Sequence, residues 1–385
     1  MDKKLKSNRL TFYLFNSLIV SLVGTINLGI CTALFSSMEL SYIEISIIYT
    51  CLLFASLVFE YPSGILADRF GRKKIYAIGL LCISFQYFGY AYFDKSTLLY
   101  FVAVIGGIGG ALVSGSFQAW IIVEEKEANV NGLKKTFTIL SAMSSAGAII
   151  LSLVLVLLNV KYVELYFFMC IVMLIISLIT FCVFKDNYGD SEKINTYNKN
   201  VIKNLFLNGK YRKLILIYSL SITYSSIFIL FWQPKLLSID ISSSQITGFY
   251  SLYLLGISLI NVLISKMKRI NKKKFLLFCN LLMALSIILL SNDRLIVFSL
   301  GMIFFGVGFG AINPLFFAWI SEIIDEDNCA SIISFISAMG TVISLFVNIF
   351  VGYIMDVYGL TCIPYVVVCI GIVCNLILLG VSEKE

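Results

Sequence analysis

The sequence predicts an all-α membrane protein of twelve transmembrane helices, arranged as two six-helix bundles with pseudo-twofold symmetry. Three observations carry that prediction. Of 385 residues, 59% are hydrophobic and only 13% charged, with a mean hydropathy of +0.94; soluble chains are about 45–50% apolar and about 25% charged. The apolar residues fall into twelve long runs. Lys and Arg gather in alternate turns between those runs. A soluble enzyme and a disordered chain are both excluded. The runs are continuously apolar rather than alternating, which excludes a closed β-barrel.

The runs cover roughly 10–34, 42–66, 74–93, 98–123, 135–158, 162–184, 214–237, 245–265, 275–291, 295–321, 330–355 and 360–381. A helix needs about 20 apolar residues to cross the hydrocarbon, and the longer runs imply tilt or projecting ends. The first run is too long for a signal peptide and lacks a small-residue cleavage site, so it reads as the first span.

Orientation follows from the basic residues. With the N-terminus placed inside, 25 of the 29 Lys and Arg fall on inside segments. The outside holds only Lys95, Lys161, Lys235 and Arg294. Both termini are therefore expected in the cytoplasm, with an even number of spans. The net charge of +7 is accounted for by this bias, so nucleic acid is not an expected partner. No Lys or Arg is left for a membrane interior. His is absent, and the ten Cys form no C-x-x-C pair, so neither a metal site, a disulfide framework nor a cofactor is expected.

The polar stretch 185–213 divides six spans from six. The expected organisation is an N-terminal bundle over 1–184, a cytoplasmic linker over 185–213 and a C-terminal bundle over 214–385. A short amphipathic helix near 201–207 would lie on the membrane surface. The halves also resemble each other. Ala119-Trp120-Ile121 recurs as Ala318-Trp319-Ile320, Ser141-Ala142-Met143 as Ser337-Ala338-Met339, and Arg72-Lys73-Lys74 as Lys272-Lys273-Lys274, at shifts of 199, 196 and 200. Six spans is an even number, so the copies are parallel repeats about an axis along the membrane normal.

Between spans two and three the chain reads Gly64-Ile65-Leu66-Ala67-Asp68-Arg69-Phe70-Gly71-Arg72-Lys73-Lys74. Gly64 and Asp68 share one helix face with Glu60. A glycine there allows close helix approach, a carboxylate at a helix end can meet the start of another helix, and Gly71 permits a tight reversal. The stretch resembles the cytoplasmic signature of the major facilitator superfamily, Gly-x-x-x-Asp-Arg-x-Gly-Arg-Lys, at all six defined positions. Length, span count and central linker extend the resemblance over the whole chain. The Lys-, Ile- and Asn-rich composition points to a bacterial source, and the resemblance implies a carrier working by alternating access. In it Gly64, Asp68, Arg69, Gly71, Arg72 and Lys73 lock the two halves on the cytoplasmic side when the carrier faces outward. It further implies that Asp68 meets the start of span eleven, and that Glu124 at the end of span four pairs with a motif arginine. The second copy of the loop has no acid where Asp68 stands, so the lock is asymmetric. Acids after spans four and ten, among them Asp325, Glu326 and Asp327, are expected to attract the bases of the opposite half.

Family geometry points to spans one, four, seven and ten as the lining of the pathway. Their polar and aromatic residues include Asn16, Asn27, Gln118, Trp120, Tyr218, Tyr224, Trp232, Gln233, Asn313, Phe317 and Trp319. Intramembrane acids mark proton relays, and here they are scarce. Glu60, about two turns inside the cytoplasmic end of span two, is the candidate for proton coupling; its alternative role is a structural partner of Arg69 or Arg72. Many drug–proton antiporters of the superfamily carry a Gly-Pro signature in span five. The matching stretch Ser141–Gly147 has small residues but no Pro, a departure from antiport.

An aromatic pathway without a cation suits an uncharged, amphipathic substrate better than an anion, which needs a central Arg or Lys. The expected function is proton-coupled export of a small lipophilic or amphipathic compound, such as a drug, toxin or metabolite. The alternatives are an uptake permease or facilitator for a neutral nutrient, and a non-transporting membrane sensor or scaffold. The expected partners are a small-molecule substrate, protons and membrane lipids, with the protein a monomer in the cytoplasmic membrane. Enzyme activity is not expected, since there is no Ser-His pairing, no phosphate loop and no long soluble domain.

Overall fold

A computed structural model describes residues 2–128, 133–183, 186, 188, 209–267, 271–323 and 329–380. Side chains at 2–13, 118–119, 121–128, 133–142, 210–211, 243–244, 321–323 and 329–331 fall outside the description. The expected amphipathic helix at 201–207 and the acids Asp325, Glu326 and Asp327 lie outside the described residues.

The described residues form twelve α-helices: α1 (Asp2–Ser37), α2 (Tyr42–Phe70), α3 (Arg72–Tyr92), α4 (Ser96–Ala128), α5 (Leu133–Leu158), α6 (Tyr162–Val183), α7 (Gly209–Leu237), α8 (Ser243–Lys266), α9 (Lys272–Leu290), α10 (Leu295–Ile323), α11 (Cys329–Tyr358) and α12 (Ile363–Leu379). Eleven of them are long and apolar enough to cross a membrane, and α5 adds a shorter apolar stretch over Met143–Leu158. The protein is a multi-pass membrane protein with no described strand. Each backbone polar group in hydrocarbon must be satisfied within its own helix, which is why the runs become helices.

Several helices outrun their apolar cores. α2 continues through Asp68, Arg69 and Phe70, so the motif expected in a loop lies largely on helix. Gly71 alone separates α2 from α3, with φ 106°. That left-handed value is one an L side chain rarely adopts.

The chain forms two compact units. One comprises Met1–Leu34, Ile47–Leu151 and Leu157–Asn195; the other comprises Phe35–Ser46, Ser152–Val156 and Thr196–Glu385. In the first unit α3 packs on α4 and α6. Gly79 and Gly109 bring α3 and α4 so close that a Cβ on Gly79 would lie 2.9 Å from the Gly109 carbonyl oxygen. Small residues at such crossings replace the hydrophobic drive that lipid removes. In the second unit α10 packs on α8 and α9, and α7 on α11 and α12. Its centre is an aromatic column in which Phe228 stacks on Phe305 at 4.1 Å between centroids, with Trp232, Tyr250 and Tyr253 around it.

Candidate functional site: the basic motif and two anchored asparagines

The motif is built by the end of α2, the start of α3 and Asp186, which follows α6. One turn apart on the chain, Asp68 and Arg72 form an ion pair at 2.8 Å, with Arg72 Nε also 3.1 Å from the same oxygen. The Arg72 side chain is mostly buried by this arrangement, while that of Asp68 stays 40% exposed. Arg69 turns away, its guanidinium 5.4 Å from the centroid of Phe70. Lys73 reaches the last turn of α6, donating to the Phe181 carbonyl at 3.0 Å and lying 5.5 Å from that ring's centroid. A cation is favourable there because the terminal carbonyls of a helix are unsatisfied and carry its negative dipole end.

Gly71 is required twice over. Its φ is left-handed, and the place of a Cβ is taken by Asp186, whose Cγ would be 2.7 Å away. Asp186 uses that closeness to accept the Lys73 backbone N–H at 2.9 Å, capping α3 from outside the helix. Nothing in the linker's composition singled out Asp186 for this role. Gly64 meets no described atom within 4 Å of a built Cβ. Glu124 lies in α4, but its side chain is outside the described residues. Glu60 is exposed, and its carboxylate forms no ion pair among the described residues; Arg72 is taken by Asp68 instead.

The pathway candidates separate by burial. Trp120, Tyr224, Trp232, Gln233 and Trp319 are all 5% exposed or less. Trp232 stacks on Phe228 and Tyr250, and Trp319 meets Phe316 edge-on at 6.3 Å. The side chain of Gln118 is not described. Asn27, Asn313 and Phe317 keep access to the outside of their helices.

The two asparagines share one arrangement. Tyr166 of α6 donates its hydroxyl to Asn27 Oδ1 at 2.8 Å, and Tyr218 of α7 donates to Asn313 Oδ1 at 3.1 Å. In each case the tyrosine occupies the carbonyl end, which leaves the amide NH2 as a fixed donor. Tyr218 also packs at a tilt against Phe316 and Phe317, with centroids 4.9 and 5.4 Å away. Each unit therefore offers an oriented amide donor, and in the second unit the partly exposed ring of Phe317 lies against its tyrosine. Asn16 differs: it is buried, accepts from Tyr76 at 3.0 Å and donates to Thr180 at 2.8 Å, so both ends of its amide are used internally. Chemically, each of these amides, within its own unit, can donate a hydrogen bond to an acceptor of an uncharged molecule.

A long-helix, all-α, multi-pass chain with such a motif belongs to the class of polytopic membrane transporters. The chain is a member of the Major Facilitator Superfamily, whose family model matches residues 8–238 and 214–385. It is similar to an uncharacterised transporter of the same type, YxaM of Bacillus subtilis, with 21% identity over 370 residues, covering 90% of this chain and 89% of that one. Among solved structures it is similar to the nucleoside transporter NupG, with a TM-score of 0.83 at 16% identity over 99% of both chains. It is also similar to a D-xylose–proton symporter, with a TM-score of 0.70 at 15% identity over 97% of this chain and 99% of that one. At these identities the structural likeness shows the fold. The protein is a transporter rather than an enzyme, and moves small molecules.

Proposed function

We propose that the protein is a proton-coupled secondary carrier that exports an uncharged, amphipathic small molecule by alternating access. The observation that carries this is that each unit holds an asparagine anchored by a tyrosine, Asn27 in one and Asn313 in the other, with no Lys or Arg available to the membrane interior. An anionic substrate would bury its charge against neutral amides, which is costly without a cation. A molecule with few acceptors and a flat apolar face leaves no group unpaired. The reading includes six-and-six bundles divided near 185–213, both termini in the cytoplasm, residence in the cytoplasmic membrane, a monomer, and the Gly64–Lys73 motif with Glu124 as the cytoplasmic gate.

Glu60 is the proposed coupling group. Its exposure and lack of an ionic partner among the described residues suit a carboxylate that exchanges protons rather than one that braces a helix. A second reading, uptake of a neutral nutrient, is favoured by the likeness to a nucleoside carrier and a D-xylose–proton symporter. Sugars present many hydroxyls, and an anchored amide satisfies few of them, so we place export first.

Proteoliposomes test both readings. An inward-directed transport assay with labelled uridine and D-xylose, and an efflux assay with a preloaded neutral amphipathic fluorophore, are run with and without a pH gradient. Gradient-driven movement of the fluorophore alone supports export; movement of the nucleoside or sugar alone replaces it with uptake. Glu60→Gln is expected to abolish gradient-driven transport while counterflow exchange continues. Unchanged driven transport removes Glu60 from the mechanism.

A further inference from the structure

The motif spacing Gly-x-x-x-Asp-x-x-Gly occurs a second time. Gly64, Asp68 and Gly71 close α2; Gly352, Asp356 and Gly359 close α11. In both copies the glycine that follows the helix has positive φ, 106° at Gly71 and 75° at Gly359, a region that an L side chain rarely adopts. The second copy lacks the arginines of the first: Leu360 and Thr361 follow Gly359. Its carboxylate has no neighbouring cation on its own helix and is engaged otherwise.

The Asp356 carboxylate grips the N-terminus of α2, a contact wholly within the second compact unit. Oδ1 accepts the Tyr42 N–H and Oδ2 the Ile43 N–H, both at 2.8 Å. The first N–H groups of a helix have no partner within it. α2 satisfies the Glu44 N–H itself, through Ser41 Oγ at 3.3 Å, while the Glu44 carboxylate reaches back to the Ser41 N–H at 2.9 Å. The two amides that this capping box cannot reach are the two that Asp356 takes. Its negative charge also lies at the positive end of the helix dipole. One turn earlier, Gly352 lets the backbones close: a Cβ there would lie 2.7 Å from the Tyr42 carbonyl oxygen and would also collide with Ser46 Oγ.

α2 has 29 residues, so its ends are about 42 Å apart, farther than the hydrocarbon is thick. The Asp68 motif sits at one end and the Asp356 contact at the other. We infer that Gly352, Asp356 and Gly359 form a second latch, which clasps α2 to α11 at the end opposite the basic motif and releases when that end opens. Two copies of one device would then act on the same helix from its two ends. The inference rests on the alternating-access reading above.

Hydrogen exchange of the full-length protein in lipid nanodiscs tests it without a substrate. Asp356→Asn keeps the side chain's size and weakens its acceptance. Exchange in peptides covering 41–46 is expected to rise about tenfold or more, the loss of a charge-assisted hydrogen bond. A latch also predicts a remote effect: exchange over 66–76, around the Asp68 motif, falls at least threefold as the population shifts toward that end being closed. Gly352→Ala keeps the carboxylate but obstructs the approach, and is expected to give the same pair of changes, which guards against a variant that fails to fold. Faster exchange confined to 41–46 in both variants would make Asp356 a local helix cap and overturn the latch. Slower or unchanged exchange at 41–46 would overturn it as well. Neither result touches the carrier reading, which stands on the proteoliposome assays.

Discussion

Two basic turns, one at Gly71–Lys74 and one at Asn271–Lys274, start helices at matching places in the internal repeat, and they are held in different ways. α9 caps itself: Asn271, with φ −74°, accepts the Lys274 N–H at 2.9 Å through its own side chain. α3 starts on a glycine without a side chain, and its cap comes from Asp186, 113 positions away from Lys73. Asp68 adds an ion pair to Arg72 that has no counterpart in the second copy, where no acid precedes the lysines. A local cap persists as long as its helix does. A cap drawn from a distant segment can be withdrawn while both helices stay intact. One turn is thus capped by its own first residue and the other by a residue outside the helix, and only the second kind of cap suits the gate proposed for the first copy.

The largest expected effect sharpens that contrast. Gly71→Val forces a β-branched residue into a left-handed conformation and drives its Cβ into Asp186. Together these are expected to destabilise the protein by about 3 kcal/mol. Asn271→Ala removes one side-chain cap and is expected to cost about 1 kcal/mol. Thermal unfolding of both variants in detergent measures the pair. Equal losses would show that the two turns are equivalent after all.

A second comparison opposes the asparagine that is sealed to the one that is not. Tyr76→Phe leaves buried Asn16 Oδ1 without its donor and is expected to lower stability by about 1–3 kcal/mol. Tyr218→Phe frees Asn313, which is exposed and can turn to other partners. It is expected to leave the unfolding temperature within a few degrees of the parent while raising the KM for transport several-fold. Should Tyr218→Phe lower stability as much as Tyr76→Phe and spare KM, Asn313 is a helix contact and not a substrate donor.

The fold was legible because membrane insertion is dictated by quantities a sequence displays directly: the length of apolar runs and the placement of Lys and Arg. The motif at Gly64–Lys73 was legible as a pattern, but not its local structure. Asp68 and Arg69 continue α2, since no Gly or Pro stands between Gly64 and Gly71. The pathway was harder to read. A helix apolar on all sides gives no periodic signal to tell its bundle-facing side from another, so wholly buried Trp232 and Gln233 stood beside exposed Asn313 among the lining candidates. Asn27 and Asn313 stood in the same group, but the tyrosines that orient them could be found only in three dimensions. The repeated Gly-x-x-x-Asp-x-x-Gly of α11 was present as a string. Its meaning depended on Tyr42 and Ile43, more than 300 positions earlier.

The smallest effect concerns the one feature the two basic turns share. Lys73 donates to the Phe181 carbonyl at the end of α6, and Lys273 to the Leu379 carbonyl at the end of α12. The two lysines stand 200 positions apart and their acceptors 198, so the repeat read from Arg72-Lys73-Lys74 and Lys272-Lys273-Lys274 carries a conserved job: neutralising the C-terminal dipole of the sixth helix in each copy. Replacing either lysine by Met keeps the aliphatic stem and removes the charge. Each change is expected to cost about 0.3–1 kcal/mol, with Lys73→Met at the upper end because its ammonium also lies over the Phe181 ring. The contacts lie in separate compact units, so the double variant should show the sum of the two losses. Unfolding midpoints of the two single variants and the double, at low and at high salt, measure this. A double variant that loses much more than the sum would mean the turns are coupled, and the contrast between the two turns would have to be redrawn.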